Sequence, residues 1–267
     1  MIKVLNILSD SNIGGAGRLL VNYLRNFDRT KFDIAVVLPK DSDLKPCVEE
    51  TGFPVFEIEH GRDKSFDMKA VREVMAIIKK WQPDVVHTHS SFYGKLAAYL
   101  CGTKARFYTR HSAFPPSKRL TSFPGKQING FVNGTLSTDI VAVAEAAKKN
   151  LTDTGVQDSK ITVIINGVDE VRHTTDVEQS ELKRTLGIED GTFVCGISAR
   201  LEEYKGHRYL LESAKTVTKK HPDTLFLIIG GGTCENDLKQ QAADLGIADK
   251  VIFTGFVDDV APYYNIM

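Results

Sequence analysis

Two cations five positions apart, Arg200 and Lys205, stand in the string Arg200-Leu201-Glu202-Glu203-Tyr204-Lys205-Gly206, directly after the apolar run 193–198. A strand that opens onto a helix gathers free backbone N–H groups and the positive end of a helix dipole. Arg and Lys at such a corner make a site for a polyanion, most naturally a diphosphate. A solvated loop carrying two cations is the plain alternative, and the flanking residues decide between them.

Three further stretches have residue types suited to chemistry. The corner 9–18 holds Gly14, Gly15 and Gly17, which let backbone approach a ligand at a helix N-terminus. Its spacing is wrong for the G-x-G-x-x-G dinucleotide fingerprint. The next strand also ends in Pro39-Lys40 where a ribose-binding acid is wanted, which argues against a nicotinamide oxidoreductase. His87 and His89, two apart at a strand end, face one side of it. A catalytic zinc needs a third ligand; His111 is the candidate in this half, without an acidic cluster beside it, so a hydrogen-bonded pair near a polar cleft is the favoured reading. His111, at the end of another strand, is placed either to reach the cleft as a hydrogen-bonding group or to cap the loop 112–125.

Four weaker signals complete the set. Asp41-Ser42-Asp43 has the D-x-D spacing of a metal–diphosphate holder, but acids before a helix serve more often as N-caps. Phe114, Lys118, Arg119, Phe123 and Lys126 make a basic, aromatic loop suited to a membrane surface or a polyanionic acceptor, or simply a mobile one. Gly230, Gly231 and Gly232 form a second glycine-rich strand-to-helix corner. Phe253, near the next strand's end, offers a face to a nucleobase or packs in the core.

Composition narrows the class. The chain has 267 residues, 42% apolar and 25% charged, with formal net charge +0. Balanced charge gives no support to nucleic-acid binding through bulk electrostatics. Cys47, Cys101, Cys195 and Cys234 have no paired spacing, as expected of reduced cytosolic cysteines. The apolar N-terminal run reads as a buried strand and not a signal peptide. No apolar stretch reaches the roughly 20 residues of a membrane span. The expected location is therefore cytoplasmic, with peripheral contact at the inner membrane face as the basic loop's contribution.

The positioning elements follow from periodicity. Strands are expected over 3–8, 33–38, 54–58, 84–88, 105–110, 139–143 and 161–165, and helices between them. The clearest helix is 69–81, with Val71, Val74, Met75 and Ile78 on one face. Apolar strands separated by helices predict a parallel sheet covered on both faces. The polar stretch after residue 169 reads as a linker, 170–190. The pattern then restarts with strands 192–198, 224–229 and 250–253 and helices 207–219 and 234–245. The expected α/β architecture is thus two Rossmann-like doubly wound domains, 1–169 and 191–267, facing across a cleft. The second reads as incomplete, so the chain is expected to be part of a longer protein or to pair with another chain.

The ordered set resembles the retaining GT-B glycosyltransferases of family four. It comprises Gly14-Gly15-Ala16, Asp84-Val85-Val86-His87-Thr88-His89, Thr109-Arg110-His111, the segment 164–169 ending Asn166-Gly167-Val168-Asp169, Arg200-Leu201 with Lys205-Gly206, Gly230-Gly231-Gly232 and Val251-Ile252-Phe253-Thr254-Gly255. The resemblance implies sugar transfer from a nucleoside diphosphate sugar to a glycan or lipid-linked acceptor hydroxyl, in cell-surface polysaccharide or glycoconjugate synthesis. Arg200 and Lys205 would clamp the diphosphate and stabilise its departure; Gly15 would bring N–H groups to the phosphates, and Gly231, Gly232 and Phe253 would line the nucleotide side. His111 would face the transferred sugar. Gly14, His87 and His89 would fall on the acceptor side, and no obligatory metal or other cofactor is implied. Two departures stand out: Gly17 replaces the family's usual acid, and the family's paired glutamates would lie beyond Tyr264. The chain alone is therefore expected to have little activity. A sugar-nucleotide 2-epimerase of the same architecture and a non-catalytic accessory subunit remain as alternatives.

Overall fold

The computed structural model describes residues 1–11, 13–168 and 170–267, which fall into two compact units, Met1–Asp169 and Glu170–Met267. Asn12, in the first glycine-rich corner, and Asp169, the end of the Asn-Gly-Val-Asp motif, lie outside the described residues.

The first unit runs β1 (Ile2–Leu8), α1 (Gly15–Arg25), β2 (Phe32–Pro39), α2 (Lys45–Glu49), β3 (Val55–Ile58), α3 (Met68–Trp81), β4 (Val85–His89), α4 (Phe92–Leu100), β5 (Ala105–Arg110), α5 (Lys118–Thr121), α6 (Gly125–Leu136), β6 (Asp139–Ala142), α7 (Glu145–Asp153) and β7 (Ile161–Val163). Among the described residues the seven strands form one parallel sheet in the order β3-β2-β1-β4-β5-β6-β7. Leu5, Ile7, Val37 and Val86 pack on one face with the predicted stripe of α3, while Val4, Leu8, Val36 and Leu38 pack on the other with Leu20 and Leu24 of α1. Each such fully buried aliphatic side chain contributes about 1.5–3 kcal/mol of burial. Helix α3 starts where Asp67 accepts from the Lys69 and Ala70 N–H groups, and it stops at Gln82 in the left-handed region. Strand β7 ends two residues short of its predicted end, at Val163, and Ile165 beyond it is exposed.

The second unit runs α8 (Asp176–Leu186), β8 (Phe193–Ser198), α9 (His207–Lys220), β9 (Thr224–Ile229), α10 (Glu235–Asp244), β10 (Val251–Gly255) and α11 (Ala261–Asn265). Its described strands form a parallel sheet in the order β10-β9-β8. Helices α9 and α10 cover one face through Leu211, Ala214, Leu238 and Ala242; Leu182, Leu186 and Ile266 pack on the other. The linker expected over 170–190 is therefore corrected, because residues 176–186 are a helix. A reciprocal capping box between Thr175 and Glu178 starts α8 and Gly187 ends it at φ 69°. Arg172 bonds both Glu178 and Asp259 at 3.0 Å, joining α8 to the segment before α11.

Candidate functional site

In the first unit the strand order reverses between β1 and β4. Ligands of open α/β sheets enter at such a switch point, outside the carboxyl ends of the strands. The glycine corner after β1 sits there. A Cβ built on Gly15 would meet no atom within 4 Å, so its backbone borders open space, whereas one on Gly14 would lie 3.2 Å from Asp10 Oδ2. Gly17 has a packing reason: a Cβ there would lie 3.0 Å from buried Leu44, so the acid usual at this place would have to displace the core. Asp63 anchors the corner, a role the sequence reading missed. Its carboxylate accepts from the Ser11 N–H at 2.9 Å and the Ser11 hydroxyl at 2.7 Å, and its own N–H donates to Ser9 O at 2.9 Å. The backbone bond, then the hydroxyl, holds Asp63 below the usual carboxylate range. Asp63 lies 52 positions from Ser11, too far for any local pattern to reveal the pairing.

The three predicted histidines come together on β4 and after β5. Ring centroids of His87 and His89 are 4.3 Å apart, and those of His89 and His111 are 5.2 Å apart and stacked. His89 Nδ1 meets His111 Nε2 at 2.9 Å, His87 Nε2 meets Thr109 Oγ1 at 2.7 Å, and His89 Nε2 faces Asn6 Oδ1 at 3.4 Å. With the Asn6 amide oriented this way, His89 donates from Nε2 and accepts at Nδ1 from His111. That assigns the His111 proton to Nε2 and leaves its Nδ1 as an acceptor. Burial pushes His87 and His111 down to about 4 and His89 well below the ordinary value, with neighbouring imidazoles adding to the effect at His87 and His89. At neutral pH the row is uncharged: it can hydrogen-bond sugar hydroxyls but is a poor proton acceptor.

No group of three or more His, Cys, Asp or Glu among the described residues is placed to hold a metal. The N-cap reading of Asp41 and Asp43 is corrected. Helix α2 begins at Lys45 with Leu44 at its N-cap and no side-chain cap. Instead the Ser42 hydroxyl accepts from the Leu44 N–H and donates to Ser11 O.

In the second unit β8 runs out at Ser198 and exposed Arg200 follows. Leu201, wholly buried, pins the loop; a 3-10 turn, Glu203–Lys205, carries Lys205; and Gly206 at φ 79° turns the chain into α9. Exposed Tyr204 stands between the cations, its hydroxyl 3.5 Å from Arg200 Nη2 and its ring centroid 5.3 Å from Lys205 Nζ. Among the described residues no carboxylate forms an ion pair with Arg200 or Lys205. The glycine corner locks onto this loop: the Leu201 N–H donates to Gly231 O at 3.0 Å, and the Cys234 N–H donates to Leu201 O at 2.9 Å. A Cβ on Gly230, at φ 134°, would lie 2.2 Å from Ala199 O, and one on Gly232 would lie 2.5 Å from Leu201 O. Both glycines are needed for loop-on-loop packing, which gives Gly232 a packing role beside the ligand-side one expected of it. Gly231 alone of the three faces space, its nearest neighbour being Phe256 N at 4.0 Å. Phe253, partly buried, packs against the α9–α10 core with Lys239 Nζ 5.6 Å from its ring centroid, and Phe256 is the exposed aromatic nearby.

Two parallel, doubly wound sheets with a glycine corner, a histidine row and an arginine–lysine corner at their carboxyl ends define a GT-B glycosyltransferase. The chain belongs to Glycosyltransferase Family 4, whose family model matches residues 13–172; the Glycosyl transferases group 1 model matches 178–267. It is 27% identical to the Escherichia coli UDP-Gal:alpha-D-GlcNAc-diphosphoundecaprenol alpha-1,3-galactosyltransferase over 97% of this chain and 70% of that one. The crystal structure of Anabaena HepE in complex with UDP and glucose superposes with TM-score 0.80 at 19% identity, covering 100% of this chain and 72% of that one. The UDP-GlcNAc 2-epimerase of Neisseria meningitidis bound to UDP-GlcNAc has TM-score 0.64 at 15% identity, covering 99% and 75%. No described helix is long and apolar enough to cross a membrane.

Proposed function

We propose that this chain carries the acceptor domain and part of the donor domain of a retaining glycosyltransferase. The donor is a nucleoside diphosphate sugar, the acceptor a glycan or lipid-linked saccharide, and the product a cell-surface polysaccharide or glycoconjugate. The observation that carries this reading is the corner at the end of β8, where the exposed cations Arg200 and Lys205 flank Tyr204 and form no ion pair with a carboxylate among the described residues. As the bond between sugar C1 and the diphosphate breaks, negative charge grows on the leaving oxygen, and the two cations stabilise it without a metal. A new bond forms from C1 to the acceptor oxygen. The hydroxyl proton goes to the departing diphosphate, because histidines lowered to about 4 or below are weak bases. His111 hydrogen-bonds the transferred sugar, Gly15 and Gly231 offer backbone to the donor, and Gly14, His87 and His89 lie on the acceptor side. The UDP-containing structure and the UDP-sugar named for the E. coli relative support a UDP-type donor. We place the enzyme at the cytoplasmic membrane face, with Lys118, Arg119 and exposed Phe123 as its contact.

Calorimetric titration of UDP, GDP and ADP tests the donor reading. UDP is expected to bind, and Arg200→Ala to weaken it by about ten- to a hundredfold, the worth of a charge-assisted contact. Equal affinity in Arg200→Ala and Lys205→Ala would sink the clamp. A 2-epimerase is favoured only by the fold likeness. Incubating the chain with UDP-GlcNAc and no acceptor decides that case, since an epimerase yields UDP-ManNAc.

A further inference from the structure

The charge of the first unit is distributed unevenly. Between Asp84 and Asp139 the sequence contains no Asp or Glu but seven Lys and Arg residues. Two of these, Lys95 of α4 and Arg110 of β5, line one chamber of about 460 Å³ outside the carboxyl end of β5, under the loop 112–117. Lys95 is 6% exposed; its ammonium donates to Asn133 Oδ1 at 2.8 Å and lies 4.0 Å from the Tyr108 ring centroid. Arg110 donates from Nε to Ser112 O at 3.0 Å and from Nη2 to Asn150 Oδ1 at 3.2 Å. Every one of these partners is neutral, and no Asp or Glu is among the described residues that line the chamber.

A buried cation without a counter-charge is costly, and two near each other cost more. Burial, and after it the charge of Arg110, pulls the Lys95 ammonium down to about 8. It nevertheless remains mainly protonated at neutral pH. The fold thus holds two mutually repelling cations in a cavity with polar donors and room for an anion. Phe114 and Leu120 form the chamber's apolar shoulder. Leu120, Asn129 and Val132 are shared with a second chamber of about 600 Å³, which Phe123 and Ile128 also line. Phe123 is 83% exposed.

We propose that the Lys95–Arg110 chamber binds the phosphate or diphosphate group of an acceptor esterified to an apolar alcohol, whose chain runs over Leu120 to Phe123 and Ile128. Charge complementarity selects the phosphate end, and the contiguous apolar lining selects the alcohol. This names the acceptor class within the glycosyltransferase reading and rests on it, but binding at the chamber is independent of the donor corner.

The test is calorimetric titration of the whole chain with farnesyl diphosphate, farnesol and inorganic pyrophosphate, all below micelle-forming concentrations. Farnesyl diphosphate is expected to bind more tightly than either half alone. Arg110→Gln and Lys95→Met, the latter keeping the buried stem, each weaken it by at least about tenfold. Arg200→Ala and Lys205→Ala, which impair UDP binding, retain it. Farnesol binding as tightly as the diphosphate would overturn the cation site. Pyrophosphate binding as tightly as the lipid would overturn the apolar half. Loss of lipid binding in Arg200→Ala with none in Arg110→Gln would move the diphosphate to the donor corner. UDP titration reads the donor reading separately, so the two fail independently. Thermal melts of Lys95→Met and Arg110→Gln exclude misfolding as the cause of a lost signal.

Discussion

The two carboxyl edges handle positive charge in opposite ways. In the first unit the cationic side chain of Lys95 is buried and the histidines beside the edge are kept neutral; in the second, Arg200 and Lys205 stand in solvent with a tyrosine between them. Exposed cations cost the fold little and act only when an anion arrives. A buried one costs the fold all the time, so Lys95, with no carboxylate partner among the described residues, points to a ligand. The first edge is thus organised in advance, while the second is an exposed clamp on a packed base.

The largest expected effect comes from breaking that base. Gly232→Val sets a side chain against Leu201 O, 2.5 Å from an ideal Cβ. A loss of about 3 kcal/mol or more is expected from overpacking against backbone, read in urea unfolding. Gly231→Ala, with its nearest neighbour 4.0 Å away, should lose less than about 1 kcal/mol. Similar losses in both variants would remove the distinction drawn between packing and ligand-side glycines.

Acid is the corresponding probe of the first edge. The histidines titrate lower in the fold than in the unfolded chain, His87 and His111 at about 4 against an ordinary imidazole value of 6.5. Above the unfolded value neither state binds the proton, and stability is constant. As pH falls from 6.5 towards 4 the unfolded chain binds protons that the fold refuses, so stability drops by about 1.4 kcal/mol per pH unit for each such histidine. Urea unfolding at pH 7.5, 6.0 and 5.0 measures this, and His87→Gln should flatten the slope. A level profile would mean that the row is not held neutral.

Salt sharpens the comparison at the next scale. Raising ionic strength from 0.05 to 0.5 M should weaken UDP binding at the exposed corner by several-fold, because solvent ions screen Arg200 and Lys205. Farnesyl diphosphate binding at the chamber around buried Lys95 should change by a smaller factor. Equal salt dependence would place both anions in comparable solvent.

The elements were largely readable because their signals are local. The apolar runs gave the strands and the 3.6-residue stripe gave α3. Helix α8 was hidden by its polarity, although Thr175 and Glu178 already spelled its capping box; only packing of Leu182 and Leu186 on the sheet makes it a helix. The site was readable in position and not in geometry. His87, His89 and His111 were picked out singly, but their stacking depends on the β4–β5 register and on Asn6 of β1. Asp63 and the loop-on-loop role of Gly232 arise from contacts between distant segments, which no window of sequence contains. An aromatic at a strand end such as Phe253 reads alike in sequence whether it packs in the core or faces a ligand.

His207 supplies the smallest and most direct test of what neutral burial costs. Like the histidines of the first edge it is buried, at 2% exposure, and burial followed by the Lys205 charge lowers its pKa. Unlike them, neither of its ring nitrogens has a hydrogen-bond partner among the described residues. The first-edge histidines recover part of their desolvation through Thr109, Asn6 and each other, and His207 recovers none from described side chains. Replacing an unpartnered polar group by an apolar one of similar volume removes that cost. His207→Leu is therefore expected to stabilise the chain by about 1 kcal/mol, where His89→Leu, which strands His111 and Asn6, should destabilise it. Thermal melts of both variants decide the point. Destabilisation by His207→Leu would mean that the ring is bonded after all, and the contrast between a partnered and an unpartnered neutral histidine would be lost.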